Sequence, residues 1–291
     1  MATRTFTLFH LSLIQPKQID LEEIPRTRED WLRSALSEGF EFEYRSGNTM
    51  HWVPLDPVDE CIFGLLERKR PHEHHLPPDR GGAEVVTDEW QGAYVLIDPT
   101  HHEDGQKAAV ENDVVGKPGA LLGKLIEAIN YRHDKPYNIE FEPVFDSTSF
   151  WDFARSHDMI LKNITFDFVV PNMWGTKSSL DEDLKDTGEQ TGAERVAVSL
   201  KGSDGIYTDN QKVKDGVEYS ERGAGNIKAN ALDGTPYSSK SKSKTTKIPE
   251  VKGDRKTMHE YFKNLKGRIF GREKDDSTTD HDNLGSHTAD D

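Results

Sequence analysis

The chain has 291 residues, of which 34% are hydrophobic and 31% charged, with one cysteine and a formal net charge of −15. A lone cysteine excludes an internal disulfide framework and a cysteine-rich zinc ribbon, and no apolar run reaches the ~18 residues that cross a bilayer. With no secretory hydrophobic segment in the opening residues, these totals predict a soluble, cytoplasmic protein with one large domain or two ordinary ones.

Thr5 to Ile14 reads as an opening strand. Thr27-Arg28-Glu29-Asp30 resembles a capping box ahead of Trp31, Leu32, Ala35 and Leu36, and Gly39 is placed to end that helix. Phe40, Phe42 and Tyr44 alternate with glutamates, and Ser46-Gly47-Asn48 turns the chain into a partner strand with Met50 and Trp52. Cys61 to Leu66 is a short strand. Residues 67–89, with Pro71, Pro77, Pro78 and Gly81-Gly82, read as a long polar loop. Trp90 to Ile97 and Gln106 to Glu111 are strands joined by a turn, and Pro118 to Asn130 is the clearest helix, with Leu121, Leu122, Leu125, Ile126 and Ile129 on one stripe.

The stretch from Asn138 to Asn172 reads as one strand–helix–strand unit. Ile139 and Phe141 alternate with Glu140 and Glu142, and Ile160, Ile164, Phe166, Phe168 and Val170 alternate with Asn163, Thr165 and Asp167. Between them Phe150, Trp151, Phe153 and Ala154 sit at helical spacing behind Ser147, Thr148 and Ser149, which are candidate caps. Large aromatics at such a junction supply buried area. Further on, Leu180 to Leu184 reads as a helical turn, Val196 to Leu200 as a strand and Asp209 to Tyr219 as a helix. Asp233-Gly234 marks a hairpin between strands at Ile227 to Ala231 and around Tyr237.

Together these elements predict an α+β body over residues 1–235, antiparallel-rich, with subdomains 1–115 and 116–235. Residues 236–257 are rich in Ser and Lys and read as a linker. Residues 258–274 read as a basic amphipathic helix carrying Met258, Tyr261, Phe262, Leu265, Ile269 and Phe270. Residues 275–291 hold six aspartates and no Lys or Arg, and are expected to be disordered. The charge is unevenly spread: residues 1–200 hold 20 basic against 36 acidic residues, and 225–274 hold 13 against 5. An acidic body repels phosphate chains, so any nucleic-acid contact is expected from the basic stretch.

The order Tyr94 to Asp98, Gln106 to Glu111, the Pro118–Asn130 helix, Phe150-Trp151 and Phe166 to Asn172 resembles an uncharacterised protein family of bacteria and phages. The resemblance spans residues 90–235 and rests on strands and aromatics. It implies a bacterial or mobile-element origin and a role in anti-phage defence, and it carries no active site.

Candidate chemistry is sparse. His72, His74 and His75 in one loop and His101 beside Asp98 in another are donor types that suit zinc or manganese, provided the two loops converge. Asp98 with Glu103 and Lys107 approaches a carboxylate–lysine nuclease site, with the wrong spacing. Gly116 to Lys124 departs from a phosphate loop because Leu125 stands where Ser or Thr would hold magnesium. Cys61, inside an apolar strand, reads as a small buried hydrophobe. Lys240, Lys242, Lys244 and Lys247, followed by Lys263, Lys266, Arg268 and Arg272, form the strongest basic feature, either a phosphate-binding surface or a solvated segment ahead of a docked helix. The leading expectation is a non-enzymatic protein that binds a protein or nucleic acid through this segment, without cofactor. One alternative is a metal-dependent nuclease or hydrolase using His72, His74, His75, His101, Asp98 and a divalent metal. Another is an inhibitor of a neighbouring toxin.

Overall fold

A computed structural model describes residues 3–14, 27–45, 47–100, 102, 106–112, 114–132, 136–170, 179–193, 195–250 and 265–270. The fold is α+β and antiparallel. Its larger sheet runs in the order β12 (Thr245–Pro249), β1 (Thr3–Ile14), β6 (Gln106–Glu111), β5 (Glu84–Asp98), β4 (Cys61–His75), β3 (Asn48–Val58) and β2 (Phe40–Arg45). Strand β7 (Asn138–Pro143) pairs with the second half of β1, so β7 and β12 share the β1 edge opposite β6. A second sheet has the order β11 (Pro236–Ser238), β10 (Gly225–Ala231), β8 (Ile160–Val169) and β9 (Arg195–Tyr207).

The centre of the large sheet is apolar on both faces, which is why its strands read as runs rather than as clean alternation. Phe9, Leu11, Ile62, Leu66, Ala93, Val95, Ile97, Ala108 and Val110 face one layer, with helices α1 (Arg28–Ala35) and α2 (Pro118–Asn130). Phe6, Leu8, Cys61, Phe63, Leu96 and Ala109 face the other, where Ile248 of β12 and Leu265 and Ile269 of a short C-terminal helix cover them. Local chemistry sets the helix ends. Thr27 accepts from the Asp30 amide at 3.1 Å to start α1, and the Trp52 indole donates to the Leu36 carbonyl at 3.0 Å where it stops. Asn130 closes α2 by exchanging two hydrogen bonds with the backbone of Ile139, which fastens β7 to the helix.

The second sheet buries Phe166, Phe168, Ile164, Ile227 and Ala229 beneath α3 (Ser147–Arg155), α4 (Ser179–Thr191) and α5 (Gln211–Tyr219). The sheets are joined by ions and by close packing. Arg195 bonds Asp167 and Glu142 at 3.0 Å each, bridging β9 and β8 to β7. Burial opposes the charge of Arg195, but these carboxylates outweigh it and raise its pKa. Gly223, at φ +84°, lies so close to the buried His10 ring that a Cβ would sit 1.6 Å from it; both the conformation and the space require glycine.

Five sequence expectations are corrected. Residues 67–89 are not a loop: β4 and β5 continue through them as a two-stranded ribbon. The strand–helix–strand unit divides between sheets, because β7 pairs with β1 while β8 pairs with β9 and β10. Alternation sets which face is apolar, and a strand with one apolar face can join either sheet. Over 236–250 the expected linker instead contains β11, a helical turn at Ser239–Ser241 and β12, and it stitches the small sheet to the large one, while residues 251–257 lie outside the described residues. The helix at Leu180 to Leu184 is longer than its apolar spacing predicts, spanning Ser179–Thr191. Asp146, rather than the serines after it, caps α3 by accepting from the Thr148 amide. Helix α6 (Leu265–Ile269) is the described part of the expected 258–274 helix; residues 258–264 and 271–291, with the acidic tail, lie outside the described residues. Among the described residues, no helix is long and apolar enough to cross a membrane.

Candidate functional site

Beyond Glu67 and Gly92 the β4–β5 pair leaves its neighbours. The register from Arg68 opposite Gln91 to His75 opposite Glu84 is unbroken, and at ~3.3 Å per residue it forms an arm about 25 Å long. The tip turns through Pro78–Arg80 to Gly81 and Gly82, both at positive φ, and the Leu76 amide closes it by donating to the Ala83 carbonyl at 2.9 Å.

Paired residues share a face, so the register divides the arm in two. One face carries Lys69, Pro71, Glu73 and His75 with Trp90, Asp88, Val86 and Glu84. Trp90 is 54% exposed and Val86 57%, while the Trp90 ring leans edge-on against His51 at 4.9 Å. Lys69 bonds Asp88 at 2.5 Å on this face. The opposite face carries Arg68, Arg70, His72 and His74 with Gln91, Glu89, Thr87 and Val85. There Arg70 donates to Gln91 Oε1 at 3.3 Å, and the His72 and His74 rings stack at 6.0 Å.

The metal-site residues are therefore not brought together. His72 and His74 share one face of the arm, His75 lies on the other, Asp98 sits at the far end of β5, and His101 is outside the described residues. Among the described residues, no group of three or more His, Cys, Asp or Glu side chains is placed to hold a metal ion.

Asp98 has a different role. It is 1% exposed and receives Lys266 Nζ of α6 at 2.9 Å, His102 Nε2 at 2.8 Å and the Thr100 amide at 3.1 Å. Burial pushes its carboxyl up, but the hydrogen bonds from Lys266, His102 and Thr100 outweigh burial and hold it below the usual carboxylate range. Cys61, buried in the same layer, has its thiol pushed up to about 12, first by burial and then by the Asp98 charge. A thiol held there supplies no nucleophile at neutral pH. The cluster is a latch that pins α6 over an apolar layer.

The C-terminal cations also divide. Lys240 is paired with Glu142 at 3.6 Å and Lys266 with Asp98, so two of the eight are occupied by carboxylates of the fold. Lys242, Lys244, Lys247 and Arg268 are exposed, and Lys263 and Arg272 lie outside the described residues.

Sequence reasoning missed the arm because it has few apolar residues to mark a strand. The signal was present in a different form: Arg or His at every second position from Arg68 to His74, opposite Val85 and Thr87. No family model, no curated protein and no solved structure matches this chain.

Proposed function

We propose that this chain works by binding rather than catalysis, and that it holds a protein partner through the Trp90–Val86 face of the β4–β5 arm. The observation that carries this reading is a half-exposed tryptophan on a projecting ribbon, with an exposed valine four residues along the same face. Tryptophan is among the residues most enriched at energetic centres of interfaces. The rim here, Glu73, Glu84 and Asp88 with Lys69 already paired, is acidic on balance and fits a partner with a basic rim. The net charge of −15 supports a basic partner, and a toxin held inactive in a defence setting is a partner of that kind. The test is co-expression with the products of neighbouring genes, followed by affinity purification. A partner that copurifies with the wild type is expected to be lost with Trp90→Ala. Equal retention by Trp90→Ala overturns the assignment of this face.

A further inference from the structure

We propose that the other face of the arm, Arg68, Arg70, His72 and His74, binds the phosphate backbone of duplex DNA. This rests on the arm being the contact element, but it uses the face turned away from Trp90, so the two readings fail separately.

The first argument is availability. Several cations elsewhere are paired with carboxylates: Lys69 with Asp88, Lys240 with Glu142 and Lys266 with Asp98. On this face the acid in register is Glu89, opposite Arg70, yet Arg70 donates to the neutral Gln91 side chain. Arg68 stands opposite the neutral Gln91 and forms no ion pair among the described residues, although its Nε is buried and only its terminal nitrogens can reach outward. Guanidinium groups without a carboxylate partner have terminal donors left for a phosphate.

Spacing is the second argument. Alternate residues on a strand stand about 6.6 Å apart, so the four side chains form a row about 20 Å long. Gln91 and Thr87 flank it with neutral polar groups. A row of donors at regular intervals suits a ligand whose charges recur along a line, and half or more of protein–DNA hydrogen bonds go to phosphate and sugar.

The third argument concerns the body, whose surplus of carboxylates would repel DNA. The arm carries the distal part of the row away from it by more than the ~8 Å over which charges are screened at physiological ionic strength. The shape then selects the form of nucleic acid. A two-stranded ribbon fits the major groove of B-DNA, about 12 Å wide, whereas the major groove of A-form RNA is too narrow for side chains to read.

The experiment measures anisotropy of a labelled 20-base-pair duplex against the full chain from 50 to 200 mM salt. Four proteins are compared: wild type, Arg68→Ala with Arg70→Ala, Trp90→Ala, and Lys242→Ala with Lys244→Ala and Lys247→Ala. The arginine variant is expected to bind at least tenfold more weakly, with a log–log salt slope shallower by about 1.8, the loss of two phosphate contacts. Trp90→Ala is expected to bind as the wild type does. Thermal unfolding of the arginine variant at the wild-type midpoint shows that the loss is local. The proposal is overturned if wild type fails to bind at 50 mM salt, if the arginine variant binds equally, or if the loss is confined to the lysine variant. It is equally overturned if polyglutamate displaces the duplex at matched charge, since the ligand would then be an acidic protein segment.

Discussion

The two halves of the β4–β5 pair share one register and one twist, yet live in different surroundings. From Cys61 to Leu66 and from Ala93 to Asp98 nearly every side chain is buried between two apolar layers; from Arg68 to His75 and from Glu84 to Gln91 nearly every one meets solvent. In the first half a side chain is constrained by volume, and in the second it is constrained by what it will touch outside the chain. A ribbon without a covered face gains little from its own burial, so the exposed half takes its rigidity from strands clamped in the core.

Substitutions can test how sharp this division is. The largest effect is expected at Gly64, where a Cβ would lie 2.3 Å from the ring of the buried Trp52. Gly64→Ala should cost about 3 kcal/mol through overpacking, seen as a lower urea midpoint. An unchanged midpoint would mean that the inner half tolerates volume as the outer half does.

Next in size is the latch on α6. Lys266→Ala leaves a buried carboxylate with fewer donors; because Lys266 is itself 30% exposed, the loss is set at about 2 kcal/mol, below the 3–5 typical of a fully buried pair. Cys61 is the one cysteine of the chain and reports directly on this opening. Its modification by a thiol reagent should be slow in the wild type and several-fold faster in Lys266→Ala. Equal rates would show that α6 does not guard that layer.

The same latch predicts a pH dependence. The Asp98 carboxyl sits below its unfolded value, so its contribution is present above about pH 3.9 and is lost as pH falls through the folded value. Stability followed from pH 5 down to pH 2.5 should therefore drop more steeply in the wild type than in Asp98→Asn. Parallel acid limbs would remove Asp98 from the account.

The smallest effect on stability belongs to the outer half. Trp90→Ala and Val86→Ser should each shift the unfolding free energy by no more than about 0.5 kcal/mol, as expected of exposed positions. A large loss at Trp90 would make its contact with His51 structural and would erase the contrast between the two halves.

The candidate site was legible only in fragments. Arg68, Arg70, His72 and His74 are visible as residues, but their sharing a face follows from pairing with Val85 to Gln91, and proline and histidine in that stretch conceal the strand. Asp98 was visible as a ligand candidate, whereas its partner Lys266 is far along the chain, on a helix that docks through Leu265 and Ile269. The apolar nature of Cys61 could be read from its neighbours alone.

Local spacing by itself determined helix α2, whose stripe of Leu121, Leu122, Leu125, Ile126 and Ile129 needs no partner to be read. It also determined the Thr27 cap of α1 and the Asp233-Gly234 hairpin, because a cap and a tight turn are built from adjacent residues. Only the tertiary structure decided that β7 and β8 belong to different sheets, that β12 returns to the edge of β1, and that β4 and β5 run on past the core as an arm. Strand pairing is a contact between distant segments, and an alternating pattern states which face is apolar without naming the strand beside it.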